Sequence, residues 1–367
     1  MTFKLGCNSR LVLPYMSKFT FVLPHETNLP IGGYKVVYEF SNELVKLGHQ
    51  VAVVLPKMMQ ARTGVVGEIK SALWPRIHKL RNPGGITWFK LDPRVQVILC
   101  SDLREKWLPA SDYVVATSWR TAPFVAGYSE RMGRKFYLVQ HLETFGGPYD
   151  EVVGTWKMPL QKLVIARWLS EFASSLGETS TMIRIGVDLH DFGLDRPVEN
   201  RGHRAAMLYH DGYVKASWDG INAMELAKER APDLTAVLFG LPARPNGLPS
   251  WIEYVQNASA SQLREIYNQA SIFVHPSWAE GWPMPPAEAM ACGAAVVAAS
   301  NPGIMDYLKP GITGLTCRPK YWTELADAIV NLLTDEPRRV AIAKAGNEDI
   351  QQYTWGSAVA SLLESMR

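Results

Sequence analysis

The stretch SIFVHPSWAEGWPMPPAEAMACGAAVVAAS, residues 271–300, decides the fold. Its two apolar ends, SIFVHP (271–276) and AAVVAAS (294–300), predict buried parallel strands. The Gly- and Pro-rich loop between them leads into the helix-forming run 287–291. A strand, a tight loop, a helix and a second strand are the repeating unit of a doubly wound α/β sheet.

The same alternation of strand and helix continues along the chain. Helical patterns at 34–47 and 219–230 separate runs that predict further buried strands. These runs are FTFVLP (19–24), VAVVLP (51–56), YVVATS (113–118), FYLVQH (136–141), AAMLYH (205–210) and TAVLFG (235–240). We therefore expect two Rossmann-like domains facing across a cleft that is lined by the carboxyl ends of the strands.

The polar, turn-rich stretch 188–204 predicts the domain boundary, at about 175–200. On this interpretation residues 1–185 form the first domain and residues 186–345 form the second. The amphipathic segment 346–367 then forms a closing helix that packs back on the first domain.

The bulk composition predicts a cytoplasmic globular protein. The 367 residues are 47% hydrophobic and 20% charged, and a net charge of +3 identifies no class of partner. The four cysteines (Cys7, Cys100, Cys292 and Cys317) lack metal-ligand spacing and predict free thiols in a reducing compartment. No apolar run reaches the length of a membrane span, and the first residues are too polar for a signal peptide.

One segment, residues 57–81, is strongly basic. Its cations, interleaved with apolar residues at roughly helical spacing, are Lys57, Arg62, Lys70, Arg76, Lys79 and Arg81, against the single acid Glu68. The segment is either a solvated helix covering the first domain or a contact with a membrane surface or an anionic acceptor, nucleic acid included.

Two carboxylates, Glu280 and Glu288, bracket the loop GWPMPP. Glu288 lies about one turn into the following helix, where an acid can also serve the helix dipole. Glu280 caps nothing obvious. Carboxylates accept hydrogen bonds from hydroxyls, and a helix N-terminus receives phosphates, so the pair predicts a pocket for a nucleotide-linked sugar.

Three further strand ends supply candidate site residues. Gly32 and Gly33 open a helix and would allow the backbone to approach an anion, or form a simple turn. Lys215 follows the first strand of the second domain, where a lysine can meet a diphosphate. His141 and Glu143 follow a first-domain strand, where a histidine either contacts substrate or is a hydrogen-bonded core residue.

These residues resemble glycosyltransferase family 4, the retaining group with the GT-B fold. Glu280 and Glu288 match the family's E-x7-E signature, and the similarity covers nearly the whole chain, including ATSWRTA (116–122) and KFYLVQHLETFGG (135–147). The last two segments are similar to bacterial members that build rhamnose-containing and other surface polysaccharides.

The resemblance implies that residues 1–185 are the acceptor-side domain and residues 186–345 the nucleotide-sugar-binding domain, and it implies a role for each position. Glu280 would bind donor-sugar hydroxyls, Glu288 the ribose, and Lys215 the diphosphate. His141, Glu280 and Lys215 are the implied catalytic residues. The implied donor-binding residues are Gly32, Gly33, His210, Lys215, Glu280, Gly281, Trp282, Pro283, Met284 and Glu288.

Two departures accompany the resemblance. The family's arginine before the phosphate lysine is missing, with His210 in that neighbourhood, and the family's Lys-Gly is Lys215-Ala216. Arg120 or Arg184 could supply the missing charge. The chain lacks an Asp-x-Asp motif, so we expect neither a metal nor a cofactor.

The activity expected is transfer of a sugar from a nucleotide-diphosphate donor to a hydroxyl of a glycan, lipid-linked or other acceptor. The alternatives are a sugar-nucleotide epimerase of the same architecture, a transferase acting on nucleic acid, and a non-catalytic binding protein.

Overall fold

The computed structural model describes residues 16–60, 68–75 and 85–367, and within them the strands form two parallel sheets. The first sheet has the order β3-β2-β1-β4-β5-β6-β7. Its strands are β1 (Lys18–Val22), β2 (Gln50–Pro56), β3 (Gln96–Cys100), β4 (Tyr113–Ala116), β5 (Arg134–Val139), β6 (Gln161–Val164) and β7 (Ser180–Met182). The central strands are buried on both faces, which explains their uninterrupted apolar sequences.

Helices alternate with these strands along the chain, as a doubly wound domain requires. They are α1 (Gly32–Lys46), α2 (68–75), α3 (Ala122–Gly127), α4 (Tyr149–Trp156) and α5 (Arg167–Ser175). α1 follows β1 directly after the Gly32-Gly33 pair, as the sequence predicts. Its core-facing side includes Tyr38 and Phe40, both completely buried.

The second sheet has the order β10-β9-β8-β11-β12-β13. Its strands are β8 (Arg204–Leu208), β9 (Thr235–Gly240), β10 (Ile252–Gln256), β11 (Ile272–His275), β12 (Ala295–Ala299) and β13 (Gly314–Cys317). Its helices are α6 (Ser217–Arg230), α7 (Ala260–Gln269), α8 (Met284–Ala291), α9 (Trp322–Thr334) and α10 (Glu336–Ile350). The strand–loop–helix–strand unit predicted from 271–300 is β11, the loop, α8 and β12.

The C-terminal helix α11 (Trp355–Ser365) crosses back to the first domain. The Trp355 ring packs edge-on against Phe40 of α1, with ring centroids 5.6 Å apart. Arg134 at the start of β5 donates to the carbonyl of Arg367 at 2.8 Å. This crossing and the two parallel sheets confirm the predicted fold class, while the domain limits at 185 and 345 stay a prediction.

Part of the basic segment 57–81 falls inside the described residues. Ile69 and Leu73 of α2 are exposed, and the Lys57 ammonium lies over the Trp74 ring, 5.3 Å from its centroid. Glu68 accepts from Lys106 at 2.8 Å and pairs with Arg104. The cations Arg62, Arg76, Lys79 and Arg81 lie outside the described residues. In the described part of the chain, no helix combines the length and the apolar character needed to span a bilayer.

Candidate functional site

A hydrogen bond and aromatic packing on its core side fix the loop between β11 and α8. The Tyr307 hydroxyl donates to the Pro283 carbonyl at 2.7 Å. The Trp282 ring packs on Tyr307, with ring centroids 4.5 Å apart, and also against Tyr353. The side chain of Trp282 is therefore part of the core, and only the backbone of this predicted donor-binding residue remains to meet a ligand.

Glu280 and Lys215, predicted separately, form a buried ion pair. Lys215 Nζ lies 2.9 Å from one Glu280 carboxylate oxygen and 2.8 Å from the other. Burial raises the pKa of Glu280, but the Lys215 charge outweighs burial and holds the pKa below its ordinary value. The carboxylate is thus ionised at neutral pH and points both oxygens at an ammonium.

Backbone contacts keep the two loops of this pair together. The Trp278 amide donates to the Val214 carbonyl at 2.8 Å, and the Ser277 hydroxyl donates to the Lys215 carbonyl at 3.4 Å. His275, at the end of β11, is buried beside Glu280 and burial lowers its pKa to about 4. This histidine is neutral at pH 7, so Lys215 is the counter-ion of Glu280.

Ala216 explains the departure from the family's Lys-Gly. Its φ of 50° and ψ of 37° place it in the left-handed region, where it caps the N-terminus of α6 directly after Lys215. Left-handed backbone costs a non-glycine residue roughly 1–2 kcal/mol. The turn that presents Lys215 therefore contains an alanine in a strained conformation that glycine would adopt without strain.

Glu288 is paired with a residue that the sequence reasoning missed. Lys35 of α1 reaches across from the first domain, and its Nζ lies 2.8 Å from one Glu288 oxygen. The Tyr267 hydroxyl donates to the other oxygen at 3.3 Å. Burial disfavours the Lys35 ammonium, but the Glu288 carboxylate raises its pKa overall. A cation near the N-terminus of a helix is unfavourable because it opposes the helix dipole. The position of Lys35 in the sequence could therefore have indicated that this lysine has an anionic partner elsewhere.

His141 lies against the same loop from the first-domain side. Its Nδ1 is 2.9 Å from the Leu142 carbonyl oxygen, and because a carbonyl only accepts, Nδ1 carries the proton. Burial lowers the pKa of His141, so the ring is neutral at pH 7 and its Nε2 is an acceptor. A Cβ built on Gly281 would lie 3.7 Å from the His141 ring, which measures how closely the two predicted residues approach.

Three other predicted positions, Gly32, Gly33 and Gly281, have close neighbours at the junction of the two domains or beside it. A Cβ on Gly32 would lie 3.2 Å from the Met284 methyl group, so this glycine permits a close approach to the α8 N-terminus. The Gln140 side chain donates to the Gly33 carbonyl at 3.0 Å. The indole of Trp168 on α5 donates to the Gly281 carbonyl at 3.3 Å. Gln140 and Trp168 were not predicted, since nothing local in their sequence marks them.

Other candidates have structural partners instead. Glu143 accepts from the Ser118 hydroxyl and the Trp119 amide, both at 2.8 Å, and so anchors the loop after β4. His210 Nδ1 accepts from the Gly212 amide at 2.8 Å and shapes the Lys215 loop. Arg120 donates to the Gly146 carbonyl at 2.9 Å on the first-domain side. Arg184 lies near Tyr353.

One group of possible metal ligands occurs among the described residues: Asp188, His190 and Asp191, with ligand atoms within 4.8 Å of one another. It lies in the connection between the two domains. The Asp188 carboxylate accepts from the backbone amides of His190 and Asp191 at 2.9 and 3.0 Å, so the group forms a turn. It contains none of the predicted site residues.

Comparison with known proteins identifies the second domain. Residues 218–349 match the family model for glycosyl transferases group 1. The chain is 32% identical over 120 residues to a D-inositol 3-phosphate glycosyltransferase of Corynebacterium aurimucosum, covering 33% of this chain and 28% of that protein. It is 28% identical over 206 residues to the Mycobacterium leprae enzyme of the same name, covering 50% and 47%. The chain thus spans less than half the length of these relatives.

Solved structures show the same fold over nearly the whole chain. HepE of Anabaena, determined with UDP and glucose, superimposes with a TM-score of 0.71 at 16% identity, covering 95% of this chain and 99% of that one. TarM of S. aureus, determined as a variant with fondaparinux, α-GlcNAc-glycerol and UDP, gives 0.73 at 11% identity, covering 96% and 100%. The chain has the GT-B fold.

Proposed function

We propose that this protein is a retaining glycosyltransferase of family 4 that uses a nucleotide-diphosphate sugar. The observation that carries the proposal is the Lys215–Glu280 ion pair, which lies opposite His141 where the carboxyl ends of the two sheets meet. Glycosyl transfer needs cationic and dipolar groups for a leaving diphosphate and acceptors for sugar hydroxyls, and this junction offers both.

In the proposed complex, Glu280 accepts hydrogen bonds from donor-sugar hydroxyls and Glu288 accepts from the ribose. Lys215 moves partly away from Glu280 and binds the diphosphate. Its positive charge stabilises the negative charge that develops as the diphosphate leaves. The Met284 amide opens α8 and adds a partial positive charge, although Pro285 and Pro286 contribute no donors to that turn.

His141 fits the proposed reaction as a neutral acceptor. Its Nε2 can take a hydrogen bond from a sugar hydroxyl and hold it at the reacting face. Retention follows when the acceptor hydroxyl attacks the face that the diphosphate leaves, with the diphosphate oxygen receiving the hydroxyl proton. This route needs no strong base from the protein.

The proposed role is synthesis of a surface glycan or another glycoconjugate, with the segments 116–122 and 135–147 favouring the rhamnosyl-type bacterial enzymes. The enzyme is proposed to be cytoplasmic, and the names of the inositol-phosphate relatives support an acceptor that carries hydroxyl groups. UDP in the HepE and TarM structures makes UDP-sugars the first donors to test. We also propose that catalysis requires no metal, and that the segment 57–81 brings the enzyme to a membrane or an anionic polymer.

The first experiment is a thermal-shift screen against UDP, GDP, ADP and dTDP with EDTA present. A nucleotide at 100 times its Kd stabilises the folded state by about 2.7 kcal/mol, which is readily measured. The nucleotide selected then defines the sugar nucleotides to be tested for hydrolysis and transfer. Absence of both nucleotide binding and sugar-nucleotide turnover would refute the proposal.

Variants and product analysis then test the mechanism. Glu280→Gln should abolish turnover while the protein stays folded. Glu253→Gln is the matched control, because Glu253 pairs with Arg204 on the surface and should not affect turnover. NMR of the product distinguishes retention from inversion, and an epimerised sugar nucleotide would identify the protein as an epimerase.

A further inference from the structure

Phe145 is a strongly exposed aromatic residue on the first-domain side of the candidate site. It stands at the tip of the loop between β5 and α4 with 74% of its surface exposed. A phenylalanine in that position forgoes nearly all of the stabilisation that burial would provide. Tyr149, four residues later at the start of α4, is 57% exposed, so this loop presents two aromatic side chains to solvent.

The loop that carries Phe145 is well anchored. The buried Glu143 carboxylate holds it to Ser118 and Trp119 of the loop after β4. Gly147 lies so close to the Trp119 ring that an added Cβ would be 2.3 Å from it. The Gly146 amide donates to the Glu143 carbonyl at 2.9 Å. Phe145 is therefore presented by a fixed turn.

The His141 ring connects Phe145 to the loop between β11 and α8. Its ring contacts His141 edge-on, with centroids 5.3 Å apart and planes at 69°. His141 in turn lies against Gly281, the residue after Glu280. A molecule resting on Phe145 would thus lie beside the neutral His141 ring, on the first-domain side of the site.

The chemistry of this surface favours a sugar ring over a lipid surface. An aromatic face is electron-rich and attracts the positively polarised C–H groups on one face of a pyranose. Two exposed acids, Asp150 and Glu151, follow Tyr149 in the first turn of α4. They can accept hydrogen bonds from sugar hydroxyls, whereas they would repel an anionic membrane.

We propose that Phe145 is the stacking platform of an acceptor subsite, and that the acceptor is a carbohydrate whose terminal pyranose packs on this ring with a hydroxyl directed at His141. This assignment rests on the proposed glycosyltransferase function and names the class of its acceptor. The acceptor ring lies across His141 from the donor sugar.

The test is saturation-transfer NMR on the full chain with methyl glycosides of glucose, galactose, mannose and N-acetylglucosamine, which carry no aromatic group of their own. At least one should bind, with saturation concentrated on the C–H groups of one ring face. Phe145→Leu and Phe145→Ala should weaken binding about three- to tenfold, whereas Phe145→Trp should retain it. Tyr321→Ala, which removes a 49% exposed aromatic of the second domain, is the control and should have no effect.

Two results of the glycoside assay would overturn the inference: unchanged glycoside binding by Phe145→Leu, or no glycoside binding by a wild-type protein that binds a nucleoside diphosphate. The second result leaves the proposed function standing, because donor binding is measured separately. Binding to phosphatidylglycerol vesicles that Phe145→Ala abolishes would also overturn it, by assigning the ring to a membrane contact.

Discussion

Replacing Lys215 with methionine tests the buried ion pair on which the candidate site depends. The substitution keeps the length of the side chain but leaves the Glu280 carboxylate, whose side chain is 10% exposed, without its cation. The neutral His275 ring, 3.9 Å away, does not replace that charge. We therefore expect Lys215→Met to destabilise the second domain at neutral pH.

The size of the effect follows from burial. Removing one partner of a buried ion pair costs about 3–5 kcal/mol. The Lys215 side chain is 31% exposed, so water already screens the pair in part, and we reduce the expectation to about 2–3 kcal/mol. For a domain of this size that loss corresponds to a fall in Tm of about 4–12 °C.

The pH dependence gives a sharper test. In the wild type, the pKa of Glu280 lies below its unfolded value, so the pair stabilises the fold at neutral pH and its contribution is lost as pH falls through the lowered pKa. In Lys215→Met, burial, the largest influence on Glu280, loses its main opponent, and we expect it to raise the pKa of Glu280 above the unfolded value. The folded variant then resists ionisation, so its penalty grows as pH rises from 5 to 8.

The measurement is calorimetric unfolding of wild type and Lys215→Met at pH 5 and pH 8. The double variant Lys215→Met/Glu280→Gln is the control, because removing the carboxylate should recover most of the lost stability. A variant with an unchanged Tm at pH 8, or a penalty equal at both pH values, would refute the burial and pairing of Glu280.

Three further substitutions test the geometry around this pair. Ala216→Gly should relieve left-handed strain and raise stability by about 0.5–1 kcal/mol, measured by urea unfolding; a loss of stability would contradict the strained backbone. Gly281→Ala would put a Cβ 1.9 Å from the Gln140 carbonyl oxygen and should lower turnover about 10²-fold with each domain still folded. Its control, Gly154→Ala, meets nothing within 4 Å and should leave turnover unchanged. Trp168→Phe keeps a ring but loses the indole hydrogen bond, and should lower kcat about two- to tenfold with little change in Tm; an unaltered kcat would exclude a positioning role.

The fold was predictable because most of its strands are buried on both faces. A parallel strand covered by helices reads as an unbroken apolar run, and the eight such runs in the sequence coincide with the interior of the two sheets. The strands that escaped prediction lie toward the sheet edges or are very short. β10, at one edge, alternates buried, exposed and intermediate residues, and β7, at another, spans three residues. Periodicity carries little signal in such segments.

The candidate site was predictable only where a local pattern marks a residue. Lys215 and Glu280 each follow a strand end, and the adjacent order of β8 and β11 brings those ends together. The partner of Glu288 could not be predicted from the sequence, because Lys35 lies 253 positions away and in the other domain. Trp168 is a similar case, since its hydrogen bond to Gly281 crosses between the domains. Gln140 bonds to Gly33, 107 positions away within the first domain, and that contact also leaves no mark on the local sequence.

The two lysine–glutamate pairs differ in a way that matters for the proposed reaction. The Lys215–Glu280 pair lies within the second domain, so exchange of its partners for a sugar and a diphosphate needs no movement of the first domain. The Lys35–Glu288 pair joins the two domains. In the proposed complex the ribose binds Glu288, a group that also joins the domains, and this proposal therefore predicts that nucleotide affinity and domain closure are thermodynamically linked. The linkage is reciprocal: domain closure must change nucleotide affinity by the same factor by which nucleotide changes the closure equilibrium.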